Sequence, residues 1–290
     1  MENFENKKID FIGQTKEQWM NTGKFRLESI NVNNNKIRCA LVESNNSSDL
    51  LIMAGGIPRD PDRQRKLPLI NKLYGNLALK MTEGEVQKSS LLYNQPATGE
   101  SDGDSEKETI KTRIETLVGL VKYFRDTKKY LDVSLLGTSA AGYMAVRAIR
   151  DIEKLGLRVS KLVLLSPACY PQNIEDVPYG EKFTEIIRQN WDISQSPIFK
   201  DIEDYARNKG SVYINFFEKD DSVIPSHIQE YYRKFLNRLS DEGLDVKIGI
   251  ISGVEHNFHR IGCSPGDRDI IDNDCVRSTA NDLKKFLLKK

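Results

Sequence analysis

Apolar and polar positions follow two rhythms that take turns along this chain. Short, nearly continuous apolar runs, such as DLLIMA at 49–54, read as buried strands; that one is ended by Gly55-Gly56. Between such runs, apolar residues recur every three or four positions. Ile110, Ile114, Leu117, Val118, Val121 and Phe124 share one helical face within 106–128, as do Ala141, Met144, Ala145, Ala148 and Ile149 within 140–155. The pattern predicts a hairpin of 26–32 and 36–43 around Asn33-Asn34-Asn35, and strands at 49–54, 87–93, 131–137, 161–166, 211–217 and 245–251. It predicts helices at about 67–82, 106–128, 140–155, 226–239 and 275–289.

Strands separated by helices of this length cannot be joined as hairpins. They imply an α/β fold: a doubly wound, mainly parallel sheet with helices on both faces and right-handed crossovers. Ligands of such sheets sit at the C-terminal strand ends. The stretch 170–209 breaks the rhythm, with Tyr170, Phe183, Trp191 and Phe199 among charged residues. It is too long for a connection and too apolar for a solvated loop, and is read as a small helical cap inserted into one domain spanning 1–290. There is no internal repeat, linker or low-complexity tract.

Composition narrows the classes of function. The 290 residues carry 43 Lys plus Arg against 42 Asp plus Glu, so no charge excess suggests nucleic acid or an anionic membrane as partner. No apolar run approaches the ~20 residues that span a bilayer. The first residues, MENFENKKIDFIG, lack the apolar core of a secretory signal, so a cytoplasmic location is expected. Four scattered cysteines (Cys39, Cys169, Cys263, Cys275) form no CxxC pair and are expected as free thiols, with no metal. No GxGxxG or GxxxxGK[ST] follows a strand, which argues against a nucleotide site.

Chemistry gathers at three strand ends. In LLGTSAAG (135–142), Ser139 sits where a strand turns into a helix, and Gly137, Ala140, Ala141 and Gly142 are small enough for a strained turn. This is the G-x-S-x-G arrangement with alanine in the last place; a serine there also serves as an ordinary helix N-cap. EKDDSVIP (218–225) places carboxylates after the strand 211–217, and GVEHNFH (253–259) places His256 and His259 after 245–251. The chain has three histidines, the third being His227, and two of them fall where a base is wanted. Serine, acid and histidine in that order, each at a strand end, form a Ser-His-Asp constellation.

Here the sequence resembles the α/β-hydrolase family over about 26–289, through GGIPRD (55–60), YNQPATGESDGD (93–104), LLGTSAAG, EKDDSVIP and GVEHNF (253–258). The resemblance implies a serine esterase without cofactor, acting on a small-molecule acyl substrate as monomer or homodimer. It assigns Ser139 as nucleophile. The family's D-x-x-x-P spacing selects Asp221 over Asp220 as the acid, and a glycine before and an x-Phe pair after select His256 over His259. It makes Ser101, in TGESDG, structural. Many members carry His-Gly before the oxyanion loop, where this chain has Ala54-Gly55-Gly56-Ile57. Because backbone N–H groups do the work, the expected donors are Ile57 and Ala140, with Gly56 as the alternative to Ile57. Arg59, with Arg63 and Arg65, and the cap aromatic Trp191 are candidate substrate-binding residues; a solvated basic loop and packing of the cap explain the same residues. Thioester hydrolysis, acyl transfer and a non-catalytic binding module on the same scaffold are the alternative functions.

Overall fold

The computed structural model describes residues 23–44, 47–58, 61–84, 87–128, 130–189, 192–220, 223–256 and 273–289. The chain opens with a hairpin of β1 (Arg26–Val32) and β2 (Asn35–Val42), in which Val32 pairs with Asn35. Asn33 and Asn34 take φ of 49° and 66°. Asparagine tolerates this left-handed region better than most residues, and the two-residue turn sets the register.

Six further strands follow: β3 (Asp49–Ala54), β4 (Ser89–Tyr93), β5 (Asp132–Thr138), β6 (Arg158–Leu165), β7 (Ser211–Lys219) and β8 (Val246–Glu255). They complete a sheet of order β1-β2-β4-β3-β5-β6-β7-β8. β2 pairs antiparallel with β4, and every pairing from β4 to β8 is parallel. The expected doubly wound α/β sheet is therefore present, with an antiparallel hairpin closing one edge.

Each central strand is apolar on both faces because both are covered. In β3, Leu50 and Ile52 enter one core while Leu51 and Met53 enter the other. The first core packs the sheet against α3 (Ile110–Lys128), α4 (Ala140–Lys154), α6 (Pro197–Arg207) and α7 (Ser226–Asp241); the second packs it against α2 (Lys72–Met81) and α8 (Asn273–Leu288). A fully buried leucine or isoleucine is worth about 1.5–3 kcal/mol, so these two layers hold the fold.

Where the elements differ from the sequence pattern, local chemistry explains it. The helix expected at 67–82 is shortened to α2, because Pro68 disfavours an earlier start and Asn71 caps the helix by accepting from the Tyr74 amide at 2.9 Å; a separate short helix, α1 (Pro61–Arg65), precedes it. α3 starts at Ile110 rather than 106. There the Thr109 and Thr112 amides each donate to the other's hydroxyl oxygen, at 3.0 and 3.1 Å, a reciprocal cap. The stretch 170–209 also divides. α6 buries Ile198, Phe199, Ile202 and Tyr205 and packs on α4 and β7 as an ordinary crossover helix. The part before it holds α5 (Glu181–Arg188) and two single 3₁₀ turns, and it joins the same core through Ile174 and Phe183. No helix among the described residues is long and apolar enough to cross a membrane.

Candidate active site

Ser139 joins β5 to α4 with φ 55° and ψ −125°, a conformation costly for a residue with a Cβ. Its side chain makes no capping bond, which removes the N-cap alternative. Backbone bonds hold the turn: the Ser139 amide donates to the Leu165 carbonyl at 2.9 Å, and its carbonyl accepts from Gly142 at 2.9 Å and Ala168 at 3.0 Å. The small neighbours are required by space. A Cβ on Gly137 would lie 2.4 Å from the Ala141 carbonyl oxygen, and one on Gly142 would lie 3.0 Å from Pro167 Cβ. Ala140 begins α4, where first-turn amides lack intrahelical acceptors.

The loop after β3 runs directly beside this turn. A Cβ on Gly56 would meet Ser139 Cβ at 3.0 Å and its Oγ at 3.6 Å. Thr138 and Tyr74 share a hydrogen bond of 2.6 Å, and the Tyr74 hydroxyl donates to the Ala54 carbonyl at 2.8 Å. One buried tyrosine from α2 thus ties the last residue of β3 to the residue before Ser139. Ser101, expected to be structural, is buried: its hydroxyl donates to the Asn94 carbonyl and accepts from the Arg38 amide, both at 2.8 Å. Arg65 is likewise occupied, donating to the Ser101 and Gly103 carbonyls at 3.0 and 2.8 Å.

A histidine and a carboxylate meet between β7 and β8. His256 Nδ1 lies 2.6 Å from Asp220 Oδ1. The carboxylate on His256 is Asp220, and Asp221, the acid expected from family spacing, lies outside the described residues. The reason is register. β8 carries extra residues opposite β7, so that Phe217 pairs with Ile251 but Lys219 pairs with Glu255. The next residue on each strand is then Asp220 on one side and His256 on the other. Gly253, at φ 80°, lies within the irregularity, and its amide donates to Glu218 Oε2 at 2.7 Å. Sequence spacing to Pro225 carries no trace of a bulge in the neighbouring strand. Asp220 is fully buried with Oδ2 unpartnered among the described residues, and Val223 and Ile224 amides donate to its carbonyl at 2.8 Å, fixing the turn it starts. The His256 ring meets Phe217 edge-on at 5.5 Å.

Ser139 and His256 open into one cavity of about 1080 Å³, whose wall also includes Gly56 and Ile57. Residues before α6, among them Tyr170, Tyr179 and Phe183, form part of its wall, and their rings pack on one another. Arg63 and Arg188 line it too, and no carboxylate does among the described residues. Cys169 is in the wall, but burial pushes its thiol up to about 12. Arg59, Trp191, His259 and Cys263 lie outside the described residues. No group of three or more His, Cys, Asp or Glu is placed to hold a metal ion among the described residues.

No protein-family profile matches the sequence, and neither does any curated protein. Solved structures do match. A Pyrococcus furiosus esterase aligns with a TM-score of 0.59 at 15% identity, covering 95% of this chain and 94% of that one. A Xanthomonas campestris α/β serine hydrolase without lid gives 0.59 at 12% identity, covering 92% and 96%. A Coxiella burnetii α/β serine hydrolase homologue gives 0.57 at 16%, covering 90% and 97%. At these identities the likeness is one of architecture, and with the strand order and the strained serine turn it establishes that the chain has the α/β-hydrolase fold.

Proposed function

We propose that the protein is a serine hydrolase that cleaves an ester of a small carboxylic acid through an acyl-enzyme. Ser139 Oγ attacks the acyl carbonyl while His256 Nε2 takes its proton. Asp220 accepts from His256 Nδ1, holds that tautomer and stabilises the imidazolium as it forms. The negative oxygen of the tetrahedral intermediate is held by the Ala140 amide and an amide of the Gly56-Ile57 loop. The intermediate collapses, His256 returns the proton to the departing alcohol, and water repeats the sequence to release the acid.

The observation that carries this reading is the conjunction at one cavity. A serine is held in a strained conformation, and a histidine in the same wall has its other ring nitrogen bound to a fully buried carboxylate. A binding module has no use for a serine under strain or for a desolvated carboxylate beside the histidine. At about 1080 Å³ the cavity accommodates both the acyl and the alcohol parts of a small ester.

The test is labelling with a fluorophosphonate probe and mapping the adduct by mass spectrometry. The expected adduct is on Ser139, is absent from Ser139→Ala, and accompanies hydrolysis of short-chain p-nitrophenyl esters. Folded protein that takes no label and turns over no ester or thioester would return the chain to the binding-module alternative.

A further inference from the structure

One buried side chain beside the cavity has no part in the mechanism above. Gln95 follows β4, is 3% exposed and lines the cavity. Its Nε2 donates to the Gly55 carbonyl at 3.0 Å. Its own backbone is pinned, since the Thr98 amide and hydroxyl both donate to the Gln95 carbonyl, at 3.0 and 2.8 Å. Its Oε1 is buried without a partner among the described residues. A buried acceptor left unpaired weakens the fold, so this glutamine is a poor choice for stability alone.

The Gly55 carbonyl belongs to the same peptide unit as the Gly56 N–H. The described chain has no cis peptide, so the two dipoles point in opposite directions, and fixing one fixes the other. Neighbouring carbonyls are held as well: Tyr74 donates to that of Ala54 at 2.8 Å, and Gln64 Nε2 to that of Pro58 at 2.9 Å. The Gly56 carbonyl, which shares its peptide with the Ile57 N–H, receives no such bond among the described residues. Gly-Gly is otherwise the most freely rotating pair a chain contains. The Gly56 peptide is therefore the restrained one, and Gly56 is the residue in close approach to Ser139.

We propose that Gln95 is a positioning residue for the reaction. Through the Gly55 carbonyl it orients the Gly56 N–H, which makes Gly56, rather than Ile57, the loop-side donor to the oxyanion. The inference rests on the serine hydrolase reading. It assigns Gln95 no contact with substrate; its effect is to keep one amide in place before charge develops.

The experiment compares wild type with Gln95→Met and Gln95→Glu. Four readouts are taken: p-nitrophenyl butyrate kinetics, inhibition by an alkyl boronic acid, binding of butyrate by calorimetry, and fluorophosphonate labelling of Ser139. Gln95→Met is expected to lower kcat by about 10–100-fold, with KM and butyrate affinity within about twofold, and to weaken the boronate in parallel. Gln95→Glu supplies a donor only while its carboxyl is protonated. Its activity is expected to fall as pH rises across a range in which the wild type holds. A merely structural role predicts none of these splits. If Ser139 labels in wild type and both variants keep wild-type kcat and boronate affinity, or lose KM and butyrate binding equally, the role of Gln95 is overturned while the hydrolase reading stands. If Ser139 in folded wild type takes no label, both are overturned together.

Discussion

The two halves of the site are built by different means. The serine half lies mid-sheet, at the end of β5 beside β3, and backbone contacts position it. Ser139 bonds to Leu165, Gly142 and Ala168 through its own amide and carbonyl, and neighbouring glycines are tight because other backbone fills their Cβ positions. The histidine half lies at the β8 edge, where an irregular register aligns two residues and a side-chain hydrogen bond joins them. Steric confinement gives Ser139 one geometry and tolerates almost no change of residue. Register plus a hydrogen bond gives His256 a geometry that single polar substitutions can undo without unfolding the chain.

That contrast is sharpened first on the histidine side, where the largest change in rate is expected. Asp220→Asn should lower kcat by about 10⁴-fold with little loss of stability, because the amide leaves the imidazole in the wrong tautomer. Asp221→Asn should stay within a few-fold of wild type. The pair, assayed for ester hydrolysis, decides between the two adjacent aspartates, and equal losses in both would break the register argument.

On the serine side the corresponding effect is on folding. Gly137→Ala puts a Cβ 2.4 Å from a backbone oxygen that cannot move independently. It should cost about 3 kcal/mol or more, read as a lower urea midpoint, with activity lost in proportion to folded protein. Gly56→Ala is milder, since its Cβ meets Ser139 Cβ at 3.0 Å. A shift of a few tenths of an ångström beside the nucleophile should lower kcat by about 10–100-fold while the urea midpoint barely moves. Glu218→Ala removes the bond to the Gly253 amide inside the β8 irregularity, and kcat/KM should fall by about 3–10-fold. The smallest effect belongs to Cys169. With its thiol pushed up to about 12, it stays protonated at neutral pH, so iodoacetamide should leave activity intact where a fluorophosphonate abolishes it.

The same contrast explains what the sequence disclosed. The serine half was legible because steric confinement leaves a compositional mark: only small residues fit around Ser139, and they are contiguous in the chain. The strand runs were legible too, since strands covered on both faces are apolar throughout. Which aspartate meets His256 was not, because Asp220 and Asp221 are chemically identical neighbours. The choice between them depends on how many residues of β8 lie opposite β7, a fact held in a different strand. Gln95 escaped notice for a related reason. Its partner is a backbone carbonyl 40 residues away, and glutamine in a turn carries no signal of its own. The stretch 170–209 was aromatic enough to stand out, but its aromatics serve two structures, the cavity wall and a crossover helix whose Phe199 packs on Tyr231 and Tyr232.

The order of strands along the chain also sets the order in which the site is completed during synthesis. Ser139 acquires its bent backbone only once Leu165 and Ala168, at and just beyond the end of β6, have left the ribosome to bond with it. Asp220 comes later, and His256, past the final strand, later still. Under the proposed chemistry, a nascent chain therefore carries a shaped but unactivated serine from the emergence of Ala168 until that of His256. The hydroxyl becomes reactive only when β8 docks on β7, so that catalytic competence reports on the completed sheet.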